Sequence, residues 1–366
     1  MKSSLLKKRK LSMQANPPEQ EKENSEKSSA KKLGKVESFH LPSSPEEWQD
    51  LVENAKLEAL TIKTLPTEMF GSASQASDKQ YLMLRCYSPK IVHPTHFSNH
   101  MSKFGFCKNM LRDATSLLDQ SRDWAGYIRT LQEHISIREL RESHAHLWPG
   151  SFMAAKRLQE QTATVQGTHD LYSHANNQKS EKCRDAEDEA TPNAALIVLL
   201  QEITHIVERT DFEWVLNRAG FLADFGDGRR YRAFTDGVLR STSDFKVFSI
   251  TEVKKALRSH HVIIQEACEI AALMMTSPES AVFEDHFLLI SQDRHQIFLT
   301  FAKYEKELEN YYRNNEACDK FLILETFGPY DAEDPGCVVE IAKVIIAAIW
   351  IVKRSLSSGA VLQNQT

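Results

Sequence analysis

Asp236, Glu252 and Lys254 are the residues whose types and spacing point most directly to chemistry. Ala233–Leu239 reads as a short strand carrying Asp236, and the β-branched, aromatic run Phe245–Lys254 reads as a second strand. The turn-like Ser241-Thr242-Ser243-Asp244 between them makes a hairpin the economical pairing. Side chains alternate along a strand, so Glu252 and Lys254 share one face while Val253 points into a packed layer. The hairpin lets Asp236 reach that same face. Two carboxylates can hold Mg2+ or Mn2+ through oxygen and leave coordination sites for water and phosphate. A lysine beside them can orient an attacking water and help neutralise charge developing at phosphorus. The chemistry implied is metal-assisted hydrolysis of a phosphodiester. A cross-strand ion pair at a sheet end uses the same residue types, so spacing alone leaves both readings open.

The order Thr235-Asp236 … Glu252-Val253-Lys254 resembles the signature of the PD-(D/E)XK nuclease superfamily, with Thr235 standing where the nominal motif has proline. A helix carrying Glu202 precedes the strands, as the first helix of that family often does. His261-Val262-Ile263-Ile264-Gln265-Glu266-Ala267-Cys268 places Gln265 near the start of the next helix, where some members carry another site residue. Leu289–Ala302 and Phe327-Gly328-Pro329-Tyr330 look like the nuclease-like domain of many uncharacterised fungal proteins. The resemblance runs from about Ala194 to Ser355.

That resemblance implies an α/β, restriction-endonuclease-like core, a mixed sheet flanked by helices. It implies Asp236 and Glu252 as ligands of Mg2+ or Mn2+, Lys254 as the group that positions the nucleophile, and Glu202 and Gln265 as assistants. The implied partner is DNA or RNA. A nuclease-fold protein without catalysis, acting as a nucleic-acid or protein interaction module, is the alternative, because fold does not dictate function. On the residues alone, Glu202 is a third site carboxylate or an exposed helix charge. Gln265 orients a ligand or Lys254, or caps its helix. Lys255, next along the strand, should face away.

The elements that must position these groups lie in a chain of 366 residues, 41% hydrophobic and 26% charged, enough for one or two domains with a real core. The formal charge of −5 provides no global basic field, so any grip on phosphate is local. Six scattered cysteines without a C-x-x-C pair, behind a start that lacks an apolar signal core, suggest reduced thiols in nucleus or cytoplasm. The apolar run Val344–Val352, bracketed by Lys343 and Lys353, reads as a buried core helix too short to cross a membrane. The histidines of His93–His100 match no closed zinc pattern.

Five segments follow. Residues 1–44 form a polar tail expected to be disordered, whose Lys7-Lys8-Arg9-Lys10 reads as a nuclear-localisation cluster or a solvated basic tail. Residues 45–157 form a mainly helical region, with helices from Pro45 to about Ala59, over Asn109–Leu118 and over Arg122–Arg141. Tyr81–Cys86 fits strand or helix. Residues 158–192 read as a polar linker, and 358–366 as a disordered tail. Between them, 193–357 holds the expected core. It reads as a helix from Ala194, a turn at Glu213–Asn217, the hairpin, a helix over His260–Met275 and strands at His286–Ser291 and Ile297–Ala302. A helix from Lys303, a last strand at Phe321–Glu325 and a closing helix from Val338 complete it.

Overall fold

The computed structural model describes residues 39–163 and 188–363 of the chain. Lys7, Lys8, Arg9 and Lys10, and residues 164–187 of the expected linker, lie outside them. Helix α1 (Pro45–Asn54) starts as its sequence dictates: Ser44 Oγ accepts the Glu47 N–H, Pro45 opens the helix, and Glu46 and Glu47 sit at the positive end of its dipole. It stops short of Ala59, where Lys56 takes a left-handed backbone (φ 55°). The ambiguous Tyr81–Cys86 run divides at Arg85 (φ 53°), into helix α2 (Asp78–Met83) and strand β1 (Cys86–Tyr87). Helices α3 (Lys108–Gln120) and α4 (Arg122–Gln132) follow. The single helix expected to reach Arg141 is broken at His134 (φ 52°), and a Ser136/Glu139 capping box starts α5 (Ile137–Glu142) instead.

Helix α6 (Met153–Ala163) runs into the stretch expected to be linker, and Gln159 and Thr162 there are buried. Helix α7 (Ala190–His205) begins ahead of the expected Ala194. Pro192 sits in its first turn, where a missing N–H costs no helical hydrogen bond. Glu213–Asn217 is not a helical turn: Phe212–Val215 is strand β2, laddered to the hairpin. Strands β3 (Ala219–Asp224) and β4 (Arg230–Thr235) form a separate two-stranded ribbon that the sequence reading did not anticipate. Then come β5 (Gly237–Ser241), β6 (Val247–Lys254), α8 (His260–Thr276), β7 (His286–Asp293), β8 (Gln296–Lys303), α9 (Lys306–Asn314), β9 (Leu322–Asp331) and α10 (Pro335–Gln363). The tail expected from residue 358 thus continues as helix to Gln363.

The main sheet is mixed, in the order β1-β9-β8-β7-β6-β5-β2. β6 and β7 are parallel, as are β1 and β9; the other neighbours are antiparallel. Parallel neighbours need a crossover, and α8 supplies the one between β6 and β7. All of β7 is buried, as a strand covered on both faces must be. One apolar layer joins α3, α4, α7 and α10 to Leu239, Val253, Ile290 and Leu299. The opposite layer joins α1, α2, α8 and the inner side of the ribbon to Val238, Ile250 and Leu289. The fold is therefore α/β in three layers, and both halves of the chain contribute to each core. The run Val344–Val352 belongs to a longer apolar stretch, Pro335–Leu356, which meets the length and composition needed to cross a bilayer; here 61% of its apolar window is buried in the protein.

Gly237 marks the tightest packing beside Asp236. An added Cβ there would lie 2.6 Å from Ile197 Cδ1 and 2.7 Å from the Val215 carbonyl oxygen, and backbone cannot yield cheaply. Gly237→Ala is expected to destabilise the fold by about 1–3 kcal/mol, measured by denaturant unfolding. An unchanged midpoint would contradict the packing of α7 against β5.

Candidate catalytic site

The β5–β6 hairpin pairs as its sequence suggested, with Gly237 opposite Thr251 and Val238 opposite Ile250. Asp236 sits just before β5, where the chain passes from the ribbon into the main sheet, and is held there by both its ends. Its N–H donates to the Thr251 carbonyl (2.9 Å), and its Oδ2 accepts the Val253 N–H (3.0 Å). Asn193 on α7 donates to the Asp236 carbonyl oxygen (3.3 Å).

Glu252 and Lys254 share the face turned to α8, and Val253 packs into the opposite apolar layer. The Lys254 ammonium donates to Glu252 Oε1 and to Glu189 Oε1, the latter at 3.3 Å. Gln265 lies a turn and a half into α8 and is not a cap. Its Nε2 donates to Glu252 Oε1 (2.6 Å) and to Glu269 Oε1 (2.9 Å), using both amide hydrogens. The second oxygens of Glu252 and Glu269 are buried and, among the described residues, accept no hydrogen bond from an N–H or O–H donor of another residue, while the two carboxyls lie close enough to interact with each other. Lys255 is exposed, but it lies just beyond the end of β6 at Lys254, so strand alternation does not set its direction.

Burial dominates the electrostatics. It pushes the Glu252 carboxyl up, and the Asp236 charge adds to the rise, to about 8 despite the opposing Lys254. Burial raises Asp236 too, against Lys254 and the Val253 N–H. Burial, then the Glu252 charge, hold Glu269 well above the usual carboxylate range. For Lys254, burial acts downward, but Glu252, Glu189 and Asp236 outweigh it, so the ammonium titrates above its ordinary value and stays charged.

Asp236, Glu252, Lys254 and Gln265 are thus brought together. Glu202 is not. It lies on α7 with its carboxylate 4.0 Å from His205 Nδ1, and 13 residues (202 − 189) along the chain from Glu189, or about 20 Å of helix. Glu189, at the start of α7, is the acid that reaches Lys254. The sequence places it in the polar stretch ahead of a helix expected from Ala194, so no local pattern marks it. Glu269 is likewise absent from the sequence expectation, although Gln265, Glu266 and Glu269 break the apolar run Val262–Met275 and so mark buried polar contacts.

A second buried cluster borders the first. Arg258 donates to both oxygens of Glu266 (3.0 and 2.5 Å), to Asp293 Oδ2 (2.9 Å) and to Ser291 (3.2 Å), and its guanidinium stacks on Phe298. Asp293 is the register partner of Lys254. Burial raises Asp293 to about 6 against the pull of Arg258. Arg294, at the turn after Asp293, is buried and donates toward the Thr162 carbonyl. A cavity of about 250 Å3 lined by His134, Lys156, Glu160 and Glu333 includes none of these groups, so converging charge, not concavity, locates the site.

The raised Glu252 carboxyl has a consequence for stability. Its folded pKa exceeds the ordinary 4.5, so the stability it contributes is complete below 4.5 and is lost as pH rises through about 8. Glu269 shifts in the same direction. The melting temperature of metal-free protein should therefore fall across that interval, and Glu252→Gln should flatten the fall. A wild-type profile that is already flat would contradict the burial described. Comparison of the chain with protein families, with curated proteins and with solved structures gives no match in any of the three.

Proposed function

We propose that this chain is a divalent-metal-dependent nuclease, hydrolysing phosphodiester bonds of DNA or RNA on a PD-(D/E)XK-like core. One observation carries the reading: Asp236, Glu252, Lys254 and Gln265, from separate segments, converge at the end of the parallel pair β6–β7. The element order supports it. A helix (α7), several strands (β2 to β6), a crossover helix (α8) and further strands from β7 follow the coarse order expected of that core.

The hard oxygen donors of Asp236 and Glu252 suit Mg2+ or Mn2+, and a bound cation would displace the proton that burial favours on Glu252. Among the described residues no cluster of three or more His, Cys, Asp or Glu forms a metal cage. In this proposal Asp236 and Glu252 would be the cation's protein ligands, a one- or two-carboxylate arrangement used for Mg2+ at phosphate sites. A cation held by Asp236 and Glu252 would supply charge neutralisation at the phosphoryl oxygens.

The chain's own residues do the rest. Lys254, kept protonated by its three acidic neighbours, donates and positions; it is not a general base. Glu189 and Glu252 fix its ammonium from two sides. Gln265 holds Glu252 in place through one amide hydrogen and binds Glu269 with the other.

The non-catalytic interaction module has one observation in its favour. The Arg218 guanidinium stands 3.7 Å from Asp236 Oδ1 and already supplies some of the positive charge a metal would bring. Titration calorimetry with Mn2+ separates the two, because the enzyme binds the ion and Glu252→Gln abolishes binding.

Purified protein incubated with single- and double-stranded DNA and RNA is expected to cut at least one of them with Mg2+ or Mn2+, and none in EDTA. Glu252→Gln and Lys254→Met should each lower the rate about a hundredfold or more while preserving the circular dichroism spectrum. Cutting at the wild-type rate by Glu252→Gln would sink the assignment.

A further inference from the structure

The β3–β4 ribbon has an inner and an outer side. Phe221, Ala223, Tyr231 and Ala233 point inward and join the apolar layer around α8, and the Tyr231 hydroxyl donates to the Cys268 carbonyl (2.8 Å). Alternation then puts Gly220, Leu222 and Asp224 of β3, and Arg230, Arg232 and Phe234 of β4, on the outer side, and all of these are exposed. An outward row of arginine, arginine and phenylalanine is not what a solvated ribbon needs.

Phe234 is half exposed (50%), and its cross-strand partner is Gly220. A Cβ on Gly220 would lie 3.0 Å from the Phe234 ring and 3.1 Å from Arg232 Cδ. The ring and the arginine stem therefore lie across the glycine, close against the ribbon backbone, and half the ring's surface remains open to solvent. Arg230 and Arg232 form no ion pair among the described residues. Asp224, the register partner of Arg230, turns its carboxylate to the Gly226 N–H instead (2.9 Å). At the base of the ribbon, Arg218 meets Asp236. Phe234 is two residues from Asp236, roughly 7 Å along the strand, and Arg230 is roughly 20 Å away.

We infer that the outer face of the β3–β4 ribbon is the binding platform for a single-stranded nucleic acid, leading it into the site at Asp236. A base stacks on the open face of Phe234, and Arg218, Arg230 and Arg232 meet phosphates. Charge complementarity selects this occupant: a chain of net charge −5 has no overall attraction for a polyanion, and this row supplies a local one. An open aromatic flanked by cations is the arrangement that binds single strands without regard to sequence, since every base offers a flat face. A duplex hides its base faces. The inference rests on the nucleic-acid reading of the site given above.

The test is fluorescence anisotropy with a short labelled single-stranded DNA, the same sequence as RNA, and its duplex, all in EDTA so that binding is read without cutting. Wild type is expected to bind either single strand more tightly than the duplex. Phe234→Leu should weaken binding about tenfold, the share of one stacked base, and Phe234→Trp should retain it. Arg230→Ala/Arg232→Ala should lower the slope of log affinity against log salt by about 1.4, or 0.7 for each lost phosphate contact. Absent binding by folded wild type would overturn the inference. So would unchanged affinity and salt slope in the variants, or a Phe234-dependent self-association seen by sedimentation in their place. A separate cleavage assay keeps the two readings apart. Cutting by wild type with variant-insensitive binding overturns the ribbon alone, and ribbon-dependent binding with no cutting overturns the nuclease reading alone.

Discussion

Carboxyl groups crowded into a water-poor corner beside one ammonium are the constraint on which the rest of this structure depends. Glu252 and Glu269 are essentially buried, Asp236 nearly so, and Lys254 is the cation placed among them. An isolated charge there would cost several kcal/mol, so the corner must be neutralised by protons, by hydrogen bonds or by a cation. Each device leaves a trace. The carboxyls are shifted toward their protonated forms, Gln265 spends both amide hydrogens on two of them, and Glu252 and Glu269 interact with each other. Acids so arranged are under-compensated in their charged forms, and the proposed cation site rests on that.

The surrounding elements prevent the corner from relaxing. Asp236 cannot swing away, because the ladder holds its N–H and the Val253 N–H holds its side chain. Next door, Arg258 draws Glu266 and Asp293 together, tying the start of α8 to the end of β7. Asp293 is the register partner of Lys254, so the two clusters share a wall. Arg258 can take a bidentate grip on Glu266 while reaching Asp293, which its planar fork permits and a lysine would not.

The first half of the chain is a structural partner of this corner. β1 extends the sheet beside β9, and α6 ends on the β7–β8 turn, where Gln159 and Gln292 exchange amide hydrogen bonds (3.1 and 2.9 Å). Buried amides paired with each other satisfy their polarity at no net charge. They fix the turn that follows Asp293. The ribbon is the complementary case, with one side committed to the core and the other left open beside Asp236.

What could be read from the chain was local. β-branched and aromatic runs marked the hairpin, alternation put Glu252 and Lys254 on one face, and apolar spacing marked α8 and α10. The ribbon was missed because Ala219–Asp224 and Arg230–Thr235 are short and half exposed, and their pattern becomes meaningful only against α8. Glu202 and Glu189 show the limit most clearly. Both are acids on one helix, and no local rule says which end of that helix reaches Lys254; the start of α7 and its packing against β5 and β6 decide it. The sequence by itself determined the residue types and the faces of the strands, because those follow from backbone periodicity. Which acids meet, and how far burial moves their protons, was decided only by tertiary structure, because both depend on distance and on the exclusion of water.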